Sequence, residues 1–174
     1  TEAHPLIIGG GPSVFNPEPV ADFFDAFLIG DGEEAILEIC ELVRSAKKQS
    51  QDKQTLLKSL AKIQGVYVPA FYQVNWNQFG EFQSISPKIP EAPANIRKRI
   101  LPELSEWNYP LKPLVPLIEI THDRLSVEIM RGCTEGCRFC NAGMIYRPTR
   151  ERDEDDIVDY TRKAIASTGH EEIS

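Results

Sequence analysis

Cys133, Cys137 and Cys140 stand four and three residues apart, so three thiols fall within eight residues of chain. Three thiolates at this spacing can wrap one corner of a cubane iron–sulfur cluster, because a short loop curls them toward a common centre. Three ligands for four irons leave one iron open, and an open metal position is what chelates a small molecule. Gly132 and Gly136 supply backbone freedom for such a loop and let main-chain N–H groups approach the cluster sulfurs. Two other readings stay open on the residues alone. Structural zinc takes four ligands, and the additional nitrogens of His122 and His170 are not close in sequence. The thiols can also be inert. A disulfide framework fits worst, since it spreads its cysteines over a small secreted domain.

The charge around the cysteines is uneven. Between Arg131 and Arg152 there are five arginines against Glu135 and Glu151, and an acidic run from Asp153 to Asp159 follows. A basic patch there suits an anionic cluster or substrate, and an ordinary mixed-charge surface explains it equally well. The whole chain of 174 residues carries a net charge of −7, which argues against broad attraction to nucleic acid or to anionic lipid. No run approaches the roughly 20 apolar residues needed to cross a bilayer. The start, Thr1-Glu2-Ala3-His4-Pro5, has no basic segment before an apolar one. The expected compartment is therefore the cytoplasm.

The elements that must position these residues can be read along the chain. Leu6-Ile7-Ile8 and Ala26-Phe27-Leu28-Ile29 are short apolar runs stopped by Gly9-Gly10-Gly11-Pro12 and Gly30-Asp31-Gly32. Two such strands predict a parallel α/β sheet. A helix is expected from Glu33, with Asp31 as N-cap and Ile36, Ile39, Cys40 and Val43 as its apolar stripe. Cys40 then reads as a buried small hydrophobe. A second helix is expected over 53–64, with Leu56, Leu57, Leu60 and Ile63 on one face and Gly65 as its stop. Val66-Tyr67-Val68 to Trp76 and Glu81 to Ile85 predict a hairpin about a turn at Asn77 to Gly80. From Pro87 to Pro116 seven prolines exclude a long helix and predict an extended connector, docked by Ile100, Leu104, Trp107 and Tyr109. Leu125 to Met130 alternates like a strand. Asp153 should cap a helix with Ile157, Tyr160, Thr161, Ala164 and Ile165 on one face and Gly169 at its end, and 171–174 looks like the approach to another strand.

The string Val127-Glu128-Ile129-Met130-Arg131-Gly132-Cys133-Thr134-Glu135-Gly136-Cys137-Arg138-Phe139-Cys140 resembles the cluster loop of radical S-adenosylmethionine proteins. Its continuation from Asn141 to Arg152, and His122-Asp123-Arg124 before it, are similar to a bacterial subgroup with an N-terminal cobalamin-binding domain. The resemblance makes Cys133, Cys137 and Cys140 ligands of a 4Fe-4S cluster. It implies that the backbone around Phe139 borders the adenine of S-adenosylmethionine, whereas the residue alone reads equally well as a core aromatic packing the loop. It implies an Fe-S oxidoreductase-type enzyme that cleaves S-adenosylmethionine reductively to methionine and a 5′-deoxyadenosyl radical. A one-electron donor such as flavodoxin or ferredoxin goes with that chemistry; the substrate is left open.

The run from Gly9 to Ser13 and on to Glu34 resembles the last part of a cobalamin-binding domain, where paired glycines, here Gly10 and Gly11, pass close to the nucleotide tail of cobalamin. The Asp-x-His-x-x-Gly motif of many cobalamin proteins is not in this sequence. The expected architecture is α/β in three parts. Residues 1–64 are the C-terminal part of an open parallel-sheet, cobalamin-binding-like domain; 65–120 are a β-hairpin and proline-rich connector; 121–174 are the first βα unit of a radical S-adenosylmethionine partial TIM barrel. The resemblance implies a barrel of several such units, so the expectation is a fragment of a larger enzyme, inactive alone, whose exposed core edges favour self-association.

Overall fold

The computed structural model describes residues 4–104, 110–118 and 120–174. They form two compact units, one reaching to Leu101 and the other starting at Pro102. Trp107 and Tyr109, expected to dock the connector, lie outside the described residues.

The first unit is built on a small sheet. Strand β1 (Ile8–Gly9) runs parallel to β2 (Ala26–Leu28), as two apolar runs joined by a long connection require. The third strand, β3 (Val66–Tyr67), pairs with β2 antiparallel, so the sheet is mixed and not all-parallel. Every residue of β2 is buried, which is why the run carries no polar alternation. The chain continues the ladder past β2: Arg99 N–H donates to Ile29 O at 2.8 Å and Asp31 N–H to Arg99 O at 3.0 Å. Gly30 lies between them at φ +109°, and a Cβ there would fall 2.0 Å from the Arg99 carbonyl oxygen, so only glycine fits.

Helix α1 (Glu33–Lys48) begins where the sequence predicts, with acidic residues in its first turn and lysines in its last. Its cap and its phase differ from expectation. Gly32 is the N-cap residue, and the Asp31 carboxylate accepts from Leu101 N–H at 2.7 Å instead of capping the helix. Ala35, Ile39 and Ala46 are buried, while Ile36 is 47% exposed and Cys40 is exposed. Cys40 is therefore a surface thiol and not a core residue. Ala35 and Ile39 join the core cluster, and α1 packs against the second helix.

Helix α2 (Lys53–Leu60) is four residues shorter than expected. The Asp52 carboxylate caps it, accepting from Thr55 N–H and Thr55 Oγ1–H, both at 2.8 Å. The face is the expected one, with Leu57, Leu60 and Ile63 buried and Leu56 packed against the core. A hairpin of β4 (Tyr72–Trp76) and β5 (Phe82–Pro87) follows; its first strand starts six residues later than forecast, because Val66–Tyr67 joins the other sheet and Pro69–Phe71 forms a 3-10 turn. Asn77 makes its turn, with Oδ1 accepting from Phe79 N–H and Glu81 N–H, both at 2.9 Å.

In the second unit the chain from Leu125 to Val127 lies parallel to the chain end. Leu125 N–H donates to Glu172 O at 3.0 Å, Ser174 N–H to Leu125 O at 2.9 Å, and Val127 N–H to Ser174 O at 2.8 Å. Between these extended pieces are β6 (Met130–Arg131), the short helix α3 (Ala142–Ile145), β7 (Arg150–Glu151) and helix α4 (Glu154–Thr168). Of the strand expected over Leu125 to Met130, the structure has a bridge at Leu125 and β6 from Met130, and the last extended piece is a single bridge at Ile173; α4 falls where the sequence predicts. Asp153 Oδ1 accepts from Asp155 N–H at 2.9 Å, and Gly169 ends the helix at φ +75°. No helix among the described residues is long and apolar enough to cross a membrane.

Candidate metal centre

The three clustered cysteines occupy the loop between β6 and β7. Its neck is closed by the antiparallel pairs Met130↔Glu151 and Arg131↔Arg150, and by Arg152 N–H donating to Ile129 O at 2.9 Å. Residues 132–149 therefore leave and return at one point. Gly132 makes the first bend at φ +90°. A Cβ on it would lie 2.8 Å from Tyr146 O and 2.9 Å from Pro148 O, so the start of the loop rests against its own returning strand. Gly136 has open space around it and an ordinary φ, so the freedom expected of both glycines is required at Gly132 alone.

All three thiols are free. Cys137 is exposed, and Cys133 and Cys140 are half-buried. A tight turn links the last two, with Cys140 N–H donating to Cys137 O at 3.1 Å. Among the described residues, no three His, Cys, Asp or Glu side chains converge on one point that a metal ion could occupy. Three thiols outside any disulfide, on one closed loop, are the donor type that iron–sulfur clusters take. His170 is engaged elsewhere, with Nδ1 3.5 Å from Asp123 Oδ1, and His122 Nδ1 lies 3.0 Å from an Arg124 guanidinium nitrogen.

Arginine supplies the framework. Glu128 takes Arg131 Nε at 2.8 Å on one oxygen and an Arg152 guanidinium nitrogen at 3.5 Å on the other. Arg152 also donates to Leu104 O at 2.8 Å. Arg147 donates to Glu135 O at 3.1 Å, while Arg150 donates to Pro148 O at 3.1 Å and to Tyr146 O at 3.3 Å. Four of the five arginines that give the segment its positive surplus are thus engaged with the protein's own oxygens. Sequence reading missed the bonds of Arg147 and Arg150 because their acceptors are main-chain carbonyls, which leave no trace in composition; the Glu128 carboxylate lies just outside the stretch from Arg131 to Arg152.

Phe139 is 92% exposed, so it does not pack the loop as a core aromatic. In the first unit, Gly10 and Gly11 are exposed at the C-terminal end of β1, with no atom within 4 Å of a Cβ built on either. That is the end of a parallel strand pair where α/β sheets take ligands.

Residues 1–69 match the family model described as radical SAM proteins, N-terminal. The match supports the radical S-adenosylmethionine family, with which a 4Fe-4S cluster and S-adenosylmethionine are generally associated; it ends well before the cysteine loop. An uncharacterized protein of Methanocaldococcus jannaschii is 27% identical over 157 residues, which is 88% of this chain. The chain spans 27% of that protein's length. No solved structure matches.

Proposed function

We propose that this chain carries the cluster loop of a radical S-adenosylmethionine enzyme, with Cys133, Cys137 and Cys140 as the ligands of a 4Fe-4S cluster. The observation that carries the reading is the set of three free, accessible thiols on a loop closed at its neck by β6 and β7. The family match over residues 1–69 supports it from a different part of the chain. A bound cluster supplies an open iron for the amino and carboxylate groups of S-adenosylmethionine and the electron that cleaves it. The chain's own part is to present three cysteine ligands from one closed loop.

Phe139, exposed between Cys137 and Cys140, is placed in this reading beside the adenine, where a solvent-facing ring gains most by being covered. Gly10 and Gly11 leave open space for a ligand at the end of β1, and cobalamin's nucleotide tail is the ligand proposed there. The compartment is the cytoplasm and the electron donor is of flavodoxin or ferredoxin type. The substrate is a separate question, because the chain spans 27% of its relative's length.

Anaerobic reconstitution of the full-length protein with iron and sulfide tests the reading. Brown colour, about four irons per chain and, with dithionite, 5′-deoxyadenosine release are expected. Cys137→Ala should lose both iron and product. Zinc retained with no iron uptake would leave a structural metal module in place of the enzyme. Titrating the same preparation with hydroxocobalamin decides the corrinoid: no change in its spectrum removes Gly10 and Gly11 from the site.

A further inference from the structure

We infer that Arg147 is a positioning residue for the cysteine loop, holding the turn between Cys133 and Cys137 in place before any metal arrives. This goes beyond the proposed function and rests on it only for the identity of the metal. The argument begins at Gly132, whose bare Cα sits against the carbonyls of Tyr146 and Pro148. Those two carbonyls are gathered from the other side by Arg150, which donates to both. The returning segment 146–150 thus lies against the loop's first bend and is tied together by Arg150. Arg147 extends from that segment, and its guanidinium donates to Glu135 O at 3.1 Å. Glu135 lies midway between Cys133 and Cys137. The loop is therefore pinned on both sides of Cys133, at Gly132 by contact and at Glu135 by a charge-assisted hydrogen bond.

The consequence is entropic. Three cysteine side chains must come to one centre, and a loop segment already held loses less freedom when they do. Arginine suits the task because its planar, always-charged fork is preorganised to donate to a carbonyl. Lysine can make the same single bond with a more flexible stem, so Arg147→Lys should retain part of the effect and Arg147→Gln little of it.

Two measurements on the full chain test the assignment. In metal-free protein, the amides of Thr134, Glu135 and Gly136 should show order parameters near the rigid value of about 0.85, falling toward about 0.6 in Arg147→Gln. After iron–sulfide reconstitution, Arg147→Gln should lose its cluster to a chelator about tenfold faster than wild type, the scale of an outer-shell change at a metal site. Arg147→Lys should fall between them, and the thermal midpoint of all three should agree. Unchanged order parameters in Arg147→Gln overturn the inference whatever metal binds. Equal chelator rates for wild type and Arg147→Gln, with iron bound in both, overturn it as well. Loss of order in Arg147→Gln but not in wild type, with neither protein taking up iron, upholds Arg147 as the loop's anchor while removing the iron–sulfur reading.

Discussion

At the scale of single residues, a buried tyrosine and a half-buried carboxylate in the first unit should report on folding through pH. Tyr67 is 5% exposed and donates its hydroxyl to the Glu18 carboxylate. Burial first, and the hydrogen bond and charge of Glu18 after it, push the Tyr67 phenol well above its ordinary value of 10.0. The unfolded chain releases that proton near 10.0 while the folded one keeps it. Stability from this group is complete below pH 10.0 and is lost as the pH rises above it. Denaturant unfolding at rising alkaline pH should show this loss, and ultraviolet titration should find one tyrosine that ionises only with unfolding. Tyr67→Phe should cost about 1.5 kcal/mol at neutral pH by leaving Glu18 without its donor, and should flatten the alkaline decline. A Tyr67→Phe protein with the wild-type alkaline slope would place the sensitivity elsewhere, Tyr72 being the next candidate, since burial raises it too.

At the scale of elements, what the sequence makes legible divides by range. Helix α4 is readable in full because its signals are local. Asp153 caps it, Gly169 stops it, and Ile157, Tyr160, Thr161, Ala164 and Ile165 supply its inner face. Asp153→Ala should cost about 1 kcal/mol, the weight of an N-cap, measured as loss of helical signal or a lowered midpoint in urea. No change would mean that packing of Ala164 and its neighbours alone holds the helix. The same reasoning works at the Asn77 turn and at Asp52. It fails where distant partners decide. Asp31 has the right residue type and nearly the right place to cap α1, but the Leu101 N–H, 70 positions away, takes its carboxylate. Ile36 and Cys40 match a helical stripe as well as Ala35 and Ala46 do, and only the packing of α1 against the core picks the buried side. The cysteines are legible by spacing. Their supports are not, because Arg147 and Arg150 act on main-chain carbonyls that every residue possesses.

At the scale of the whole molecule, apolar burial is concentrated in one unit. The core gathers Phe27, Leu57, Leu60, Val66, Tyr67, Val68 and Phe71, all before Leu101. Beyond Pro102 the buried apolar side chains among the described residues are Leu104, Leu125 and Ala164, while Leu114, Leu117 and Ile118 are 98%, 103% and 77% exposed. At ~25 cal/mol per Å² of apolar surface removed from water, such an imbalance makes the second unit the weaker one. Amide exchange should therefore be faster in α4 than in the buried part of α1, and unfolding should depart from a single transition. The same imbalance gives metal binding a place to act. A ligand that binds only the folded loop stabilises by mass action, by about 2.7 kcal/mol at a hundredfold excess over its dissociation constant. The loop is closed by β6 and β7, and α4 follows directly from β7, so that stabilisation should spread to Met130–Arg131, Arg150–Glu151 and α4. Iron–sulfide reconstitution should slow exchange there and leave Ala26–Leu28 unchanged. Uniform slowing in both units would mean that they unfold as one, and no slowing in either would mean that the loop orders its metal without help from the fold.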